Sequence, residues 1–124
     1  MNATQRRAFE RLLAHALSYP DAWEDHPWDE TVAKVGKKVF VFMGGGPDDF
    51  GISVKLPESN EFALGMDFTA PTGYGLGRAG WVTATFPKGS KIPIDLLCDW
   101  IDESYRTVAP KKLVKALDER EGLA

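Results

Sequence analysis

The sequence is poor in the residue types that build disulfide frameworks and nucleophilic active sites. One cysteine, Cys98, and two histidines, His15 and His26, occur among 124 residues. A single cysteine excludes an internal disulfide and a paired-thiolate metal site, and we expect Cys98 to be buried. No serine or cysteine has a recognisable catalytic base, and no pair of carboxylates has a catalytic spacing. We therefore predict a protein that is not an enzyme and carries no cofactor.

Long hydrophobic runs and an excess of basic residues are also missing. No stretch approaches the roughly 20 apolar residues of a membrane helix, and the first ten residues are too polar for a secretory signal. We expect a cytosolic protein without membrane contact. The net charge is −3, whereas strong nucleic-acid binders usually carry a clear basic excess.

The charge is unevenly distributed along the chain. Residues 21–30 hold five acidic and no basic side chains, whereas residues 31–91 hold seven basic against five acidic ones. The acidic segment contains Glu24, Asp25 and His26, three types of metal ligand, but adjacent residues lack the spacing of a metal site. We interpret this segment as an ordered acidic surface loop without a metal, with its two tryptophans docked on the core.

What the chain does contain is the composition of one globular domain. Hydrophobic residues make up 44% of the sequence, and 124 residues suffice for one packed core but not for two. We predict a single domain over residues 1–124.

Hydrophobic spacing predicts an α+β domain. Apolar residues from Phe9 to Leu17 recur at helical spacing, with Thr4 as a possible N-cap, and predict an opening helix. A stripe from Ile94 to Val108 predicts a long helix followed by a short one after Pro110. Residues 31–35 and 38–43 predict a hairpin around Gly36. The glycine triplet at 44–46 predicts a second hairpin turn, because no helix follows it to form a phosphate loop.

The segment Pro71–Phe86 carries glycines with the spacing G-x-G-x-G, but a strand follows it instead of a helix. This context excludes a dinucleotide-binding loop. Val82, Ala84 and Phe86 should face the core, which leaves Trp81 on the more polar face beside Arg78. Trp81 is either an exposed platform that stacks a base or an aromatic ligand, or a residue that covers the sheet edge.

Several segments together resemble the MmcQ/YjbR family of small bacterial proteins. They are "ALSYPDAWEDHPW", "KVGKKVFVFM", "ISVKLP", "PTGYGLGRAGWVTATF" and "WIDESYRTVAPKKL", and the similarity runs from about residue 8 to residue 117. The resemblance implies a CyaY-like fold, a twisted antiparallel sheet with helices packed on one face. It also implies DNA binding, a role attached to the family through comparison of folds.

On this chain, DNA binding would use a basic sheet and hairpin face. The residues that would contact DNA are Lys34, Lys37, Lys38, Lys55, Arg78 and Trp81. The lysines and the arginine would contact phosphates, and Trp81 would stack on a base or pack against a sugar. The alternative is a small-ligand or protein-interaction domain that uses the glycine-rich loop around Arg78 and Trp81.

Overall fold

A six-stranded antiparallel sheet forms the centre of the molecule, in a computed structural model that describes residues 1–123. The strands are β1 (Ala22–Asp25), β2 (Thr31–Val35), β3 (Lys38–Gly44), β4 (Asp49–Lys55), β5 (Thr69–Pro71) and β6 (Trp81–Pro87). The helices are α1 (Ala3–Leu17), α2 (Asn60–Leu64), α3 (Ile94–Val108) and α4 (Lys111–Arg120). The strand order is β1-β2-β3-β4-β6-β5. The predicted α+β class and the long predicted helix are confirmed.

One face of the sheet is buried under α1 and α3. Val54 of β4 lies opposite Val41 of β3 and Val82 of β6, and all three side chains are buried in the core. Both helices contact β3 and β4. Because side chains alternate across a strand, this register sends Phe42, Ser53 and the other intervening residues to the opposite face.

A bulge in β3 places two consecutive residues, Phe40 and Val41, in the core. The pairing with β2 shifts between Ala33 and Lys34, and both Phe40 and Val41 are fully buried. Ser104 of α3 lies against this irregularity, where its hydroxyl donates to the Phe40 carbonyl and accepts from the Lys55 amide. The buried hydroxyl therefore pairs backbone groups that the bulge and the strand end leave without a ladder partner.

The first helix begins two residues earlier than the sequence predicts. Asn2, and not Thr4, is the N-cap, because its side chain accepts from the Gln5 amide while the Gln5 side chain accepts from the Asn2 amide. The buried Gln5 amide group also donates to the carbonyls of Asp48 and Phe86. The capping box thus starts α1, and the side-chain nitrogen of Gln5 ties this helix end to the backbone beside β4 and in β6.

Both predicted hairpins are confirmed, and each depends on a glycine. Gly36 has φ 61° in the two-residue turn between Val35 and Lys38. Gly45 has φ 145°, and a Cβ there would lie 2.1 Å from the Asp49 carbonyl oxygen. No other residue type fits the second turn without a shift of the backbone.

Arg106 connects the two C-terminal helices. Its guanidinium donates to Asp102 on α3 at 2.7 Å and to Asp118 on α4 at 2.6 Å. Asp102 also accepts from the Tyr19 hydroxyl at 2.9 Å. Burial, together with the adjacent Asp102 carboxylate, raises the pKa of Tyr19, so the Tyr19 hydroxyl keeps the proton that it donates. The network joins the segment after α1 to α3 and α4.

The structure differs from the sequence-based predictions in three smaller respects. Residues 21–30 are not a plain loop, since they contain β1 and a short 3-10 turn at Pro27–Asp29. The strand β5 was not expected, and Cys98 is half-buried instead of fully buried.

Among residues 1–123, no helix combines the length and the hydrophobicity needed to cross a bilayer.

Candidate binding groove on the open sheet face

The sheet face opposite α1 and α3 forms the candidate site, and we call it the open face. The register places these side chains on it: Trp23, Lys34, Phe42, Ser53, Lys55, Trp81 and Thr83. Two connections border the open face, residues 26–30 between β1 and β2 and residues 72–80 between β5 and β6. A strand of seven residues gives the face a length of about 23 Å along β4.

The centre of the open face is a groove. Two adjoining concavities, of about 310 and 240 Å³, share Glu30, Phe42 and Ser53 in their walls. On the floor, the Ser53 hydroxyl lies 2.7 Å from that of Thr83, which lies 2.9 Å from that of Thr72. The groove therefore combines one aromatic ring with a row of hydroxyl groups that can donate or accept hydrogen bonds.

Two aromatic side chains project from the borders of this groove into solvent. Trp28 is 95% exposed and Tyr74 is fully exposed. Trp28, Asp29 and Tyr74 have φ values of 54°, 66° and 60°, the left-handed region that residues other than glycine rarely occupy. Such strain costs about 1–3 kcal/mol per residue and is concentrated at functional sites in proteins. Exposed aromatics in strained loops thus make the groove the candidate binding surface.

Four of the five predicted basic contacts lie towards one end of the sheet. Lys37 is in the β2–β3 turn, Lys55 ends β4, and Arg78 lies in the connection that leads into β6. Lys38 begins β3 opposite the core residue Val35, so it lies at the sheet end on the margin of the helix-covered face. Within residues 1–123, none of the four makes an ion pair within 4 Å. We call these four residues the basic end.

Lys34 does not belong to the basic end. Its ammonium group lies 2.6 Å from Asp25 on the neighbouring strand and 5.1 Å from the centre of the Trp23 ring. The lysine beside it lowers the pKa of Asp25, which favours the charged carboxylate that pairs with Lys34. Lys34 is thus a component of the sheet surface and not a free cation.

Of the two interpretations of Trp81, an exposed platform or a residue that covers the sheet edge, the structure agrees with the second. The Trp81 side chain is only 7% exposed and packs edge to face against Phe42, with 5.3 Å between ring centres. The reason is its position at the start of β6, where the connection 72–80 folds back against the strand. Trp81 covers the sheet and supports the floor of the groove, so its ring has no free face for stacking.

The exposed aromatics were the residues that sequence reasoning missed. The expectation that both tryptophans of the acidic segment dock on the core is wrong, because Trp23 is 43% exposed and Trp28 almost completely so. A signal was present: Trp28 stands between Pro27 and Asp29, and Tyr74 stands between two glycines. A large aromatic residue flanked only by turn-forming residues has no strand or helix to hold it in a core.

The acidic segment forms the opposite end of the groove. Asp29 and Glu30 line it, while Glu24 lies 2.7 Å from His26 and Asp25 pairs with Lys34. Of the three adjacent potential metal ligands, Glu24 and His26 therefore contact each other, while Asp25 pairs with Lys34. Residues 1–123 contain no group of three or more histidine, cysteine, aspartate or glutamate side chains placed to hold a metal ion.

These features define a class of protein: an α+β domain whose antiparallel sheet has helices on one face and a grooved, partly charged surface on the other. The family model for YjbR matches residues 17–107. The chain belongs to the YjbR family.

A solved structure supports the same fold. The crystal structure of Deinococcus radiodurans protein DR2400, described by the family-model domain DUF419, superposes with a TM-score of 0.66 at 27% sequence identity. The similarity covers 93% of this chain and 88% of that one. No curated protein matches the sequence.

Proposed function

We propose that this domain is a non-enzymatic binding module whose open face binds single-stranded DNA. The observation that carries the proposal is the presence of a fully exposed aromatic ring, Tyr74, four residues before the free cation Arg78 in one connection. Proteins that bind single strands combine cations along the backbone with aromatic rings on which bases stack. The basic end would contact phosphates, and Tyr74 would stack on an unpaired base.

A single strand fits this surface better than a duplex does. A base in a duplex offers only its edge, whereas the face of an unpaired base can lie on an exposed ring. The hydroxyl groups of Ser53, Thr72 and Thr83 could then accept or donate at base edges along the groove floor. If all four cations contact phosphates of a single strand, the logarithm of the binding constant should fall with the logarithm of the salt concentration with a slope of about −3. Binding should then be roughly 50-fold weaker at 200 than at 50 mM salt.

The test is a fluorescence-anisotropy titration of a labelled single-stranded oligonucleotide and of the matching duplex at both salt concentrations. The double variant Lys37→Ala/Lys38→Ala should reduce the salt slope by about 1.4, because it removes two of the four phosphate contacts. Lys111→Ala/Lys112→Ala on α4 is the matched control, since it removes the same charge from exposed positions on another element. Absence of binding at 50 mM salt, or equal loss in both double variants, would refute the proposal.

A second candidate ligand is a basic segment of a polypeptide. The observation that favours it is the acidic end of the groove, where Asp29 and Glu30 stand beside the exposed Trp28. The pair of variants Asp29→Asn and Glu30→Gln separates the two ligands. Removing these charges should tighten binding of DNA, because it removes repulsion of phosphates, and should weaken binding of a lysine-rich peptide.

A further inference from the structure

A separate concavity lies on the opposite side of the molecule from the open face. It has a volume of about 740 Å³ and is open to solvent, between α1 and the segment that joins β6 to α3. Its walls are formed by Thr4, Arg7, Ala8, Glu10 and Arg11 of α1, and by Ser90, Lys91, Ile92 and Ile94. This volume is within the range of 300–1,000 Å³ that is usual for small-molecule sites.

Three cations converge on this concavity without partners. Within residues 1–123, Arg7, Arg11 and Lys91 make neither an ion pair nor a side-chain hydrogen bond. Glu10 is the one acidic residue of the lining, so three positive charges stand against one negative charge. Arg7 and Arg11 are separated by one helical turn, a spacing at which like charges repel. An anion placed between them would remove that repulsion.

The remaining surface of the concavity is mostly apolar. Ala8 is buried in α1, and the half-buried Ile92 and Ile94 pack against the edge of the hydrophobic core. A small inorganic anion would leave this hydrocarbon surface in contact with water, whereas a ligand with a tail would cover it. The lining therefore matches a ligand that has an anionic head and an apolar body.

We propose that this concavity binds an acyl chain that ends in a carboxylate, such as a medium-chain fatty acid. The guanidinium groups of Arg7 and Arg11 each present a planar set of donors that suits a carboxylate. Lys91 adds a third charge from the facing segment, and the tail lies along Ile92 and Ile94. Arg7 and Arg11 precede the part of the chain that the family model matches, which begins at residue 17, whereas Lys91, Ile92 and Ile94 lie within it.

The test is isothermal titration calorimetry of the full chain with decanoate below its micellar concentration. Decanol lacks the charge and inorganic phosphate lacks the tail, so we expect each to bind at least 10-fold more weakly than decanoate. The double variant Arg7→Gln/Arg11→Gln should weaken decanoate binding at least 10-fold. Arg6→Gln is the matched control, because Arg6 neighbours the pair on α1 but lies over the Phe9 ring outside the concavity.

Several outcomes would overturn this proposal. Decanoate binding that survives the double variant, or that Arg6→Gln weakens equally, would remove the role of the arginine pair. Phosphate binding as tight as that of decanoate would show an anion site without tail recognition, and binding only to anionic vesicles would show membrane attachment. Thermal unfolding without ligand checks that the variant Arg7→Gln/Arg11→Gln is folded. The variant Ile92→Asn keeps all three cations, so it should weaken the binding of decanoate but not that of phosphate. None of these measurements involves the open face, so their results are independent of whether the open face binds DNA.

Discussion

Replacement of Tyr74 should separate stability from binding. Because its ring is fully exposed, truncation removes no buried surface, and Tyr74→Ala should leave the free energy of unfolding within about 0.5 kcal/mol of the wild-type value. Tyr74→Asn should behave differently. The backbone at this position has φ 60°, a conformation that asparagine tolerates because its side chain hydrogen-bonds locally, whereas alanine keeps the steric penalty of about 1 kcal/mol. We therefore expect the asparagine variant to be more stable than the alanine variant by roughly 1 kcal/mol.

Both variants should lose binding to the same extent. Stacking of one base on an aromatic ring contributes about 1–3 kcal/mol, which corresponds to a roughly 5- to 150-fold weaker affinity for single-stranded DNA. Urea unfolding followed by tryptophan fluorescence measures the stabilities, and anisotropy measures the affinities. If Tyr74→Ala unfolds more than 1 kcal/mol more easily, the ring packs against the protein. If both variants bind as the wild type does, the ring contacts no ligand.

Three further predictions concern the residues that support the open face. Trp81→Ala should lower the free energy of unfolding by about 3–5 kcal/mol, as for a buried aromatic residue, and chemical denaturation measures this loss; a loss below 1 kcal/mol would contradict a supporting role. Ser104→Ala should cost about 2–3 kcal/mol in the same assay, because it leaves one buried and one partly buried backbone group unpaired; a neutral effect would mean that water replaces the hydroxyl. The low pKa of Asp25 predicts stability that is present above its ordinary value of 3.8 and is lost as the pH falls through the lower folded value. Asp25→Asn should therefore flatten the dependence of the thermal midpoint on pH below about pH 4, and an unchanged acid limb would show that the pair with Lys34 adds nothing.

The sequence predicted the elements whose signals are long or periodic. The stripe that begins at Ile94 and the alternation of Val82, Ala84 and Phe86 required a helix and a half-buried strand, and the structure contains both. The strands β1 and β5 escaped prediction because they have four and three residues, too few for alternation to stand out. The bulge at Phe40 has no local sequence signal, and Ser104, whose hydroxyl pairs with the Phe40 carbonyl, is 64 residues away in the chain.

The candidate site was predicted only in part for a related reason. Charge is readable from sequence, so the basic residues at 37, 38, 55 and 78 were identified. Exposure depends on how a connection folds back over the sheet. The connection 72–80 buries Trp81 and exposes Tyr74, although both are aromatic residues next to glycine. Only tertiary structure distinguishes them.

The short strands at the two margins of the sheet restrict how any ligand can be recognised. A partner that extends a sheet must pair with the outward backbone groups of an edge strand. Here β1 has four residues, and β5 has three and ends in Pro71, which has no amide hydrogen to donate. Strand addition therefore has almost no template at either margin. A ligand of the sheet would therefore be recognised by side chains on the face, which can be exchanged one at a time without altering the hydrogen-bonded framework that carries them.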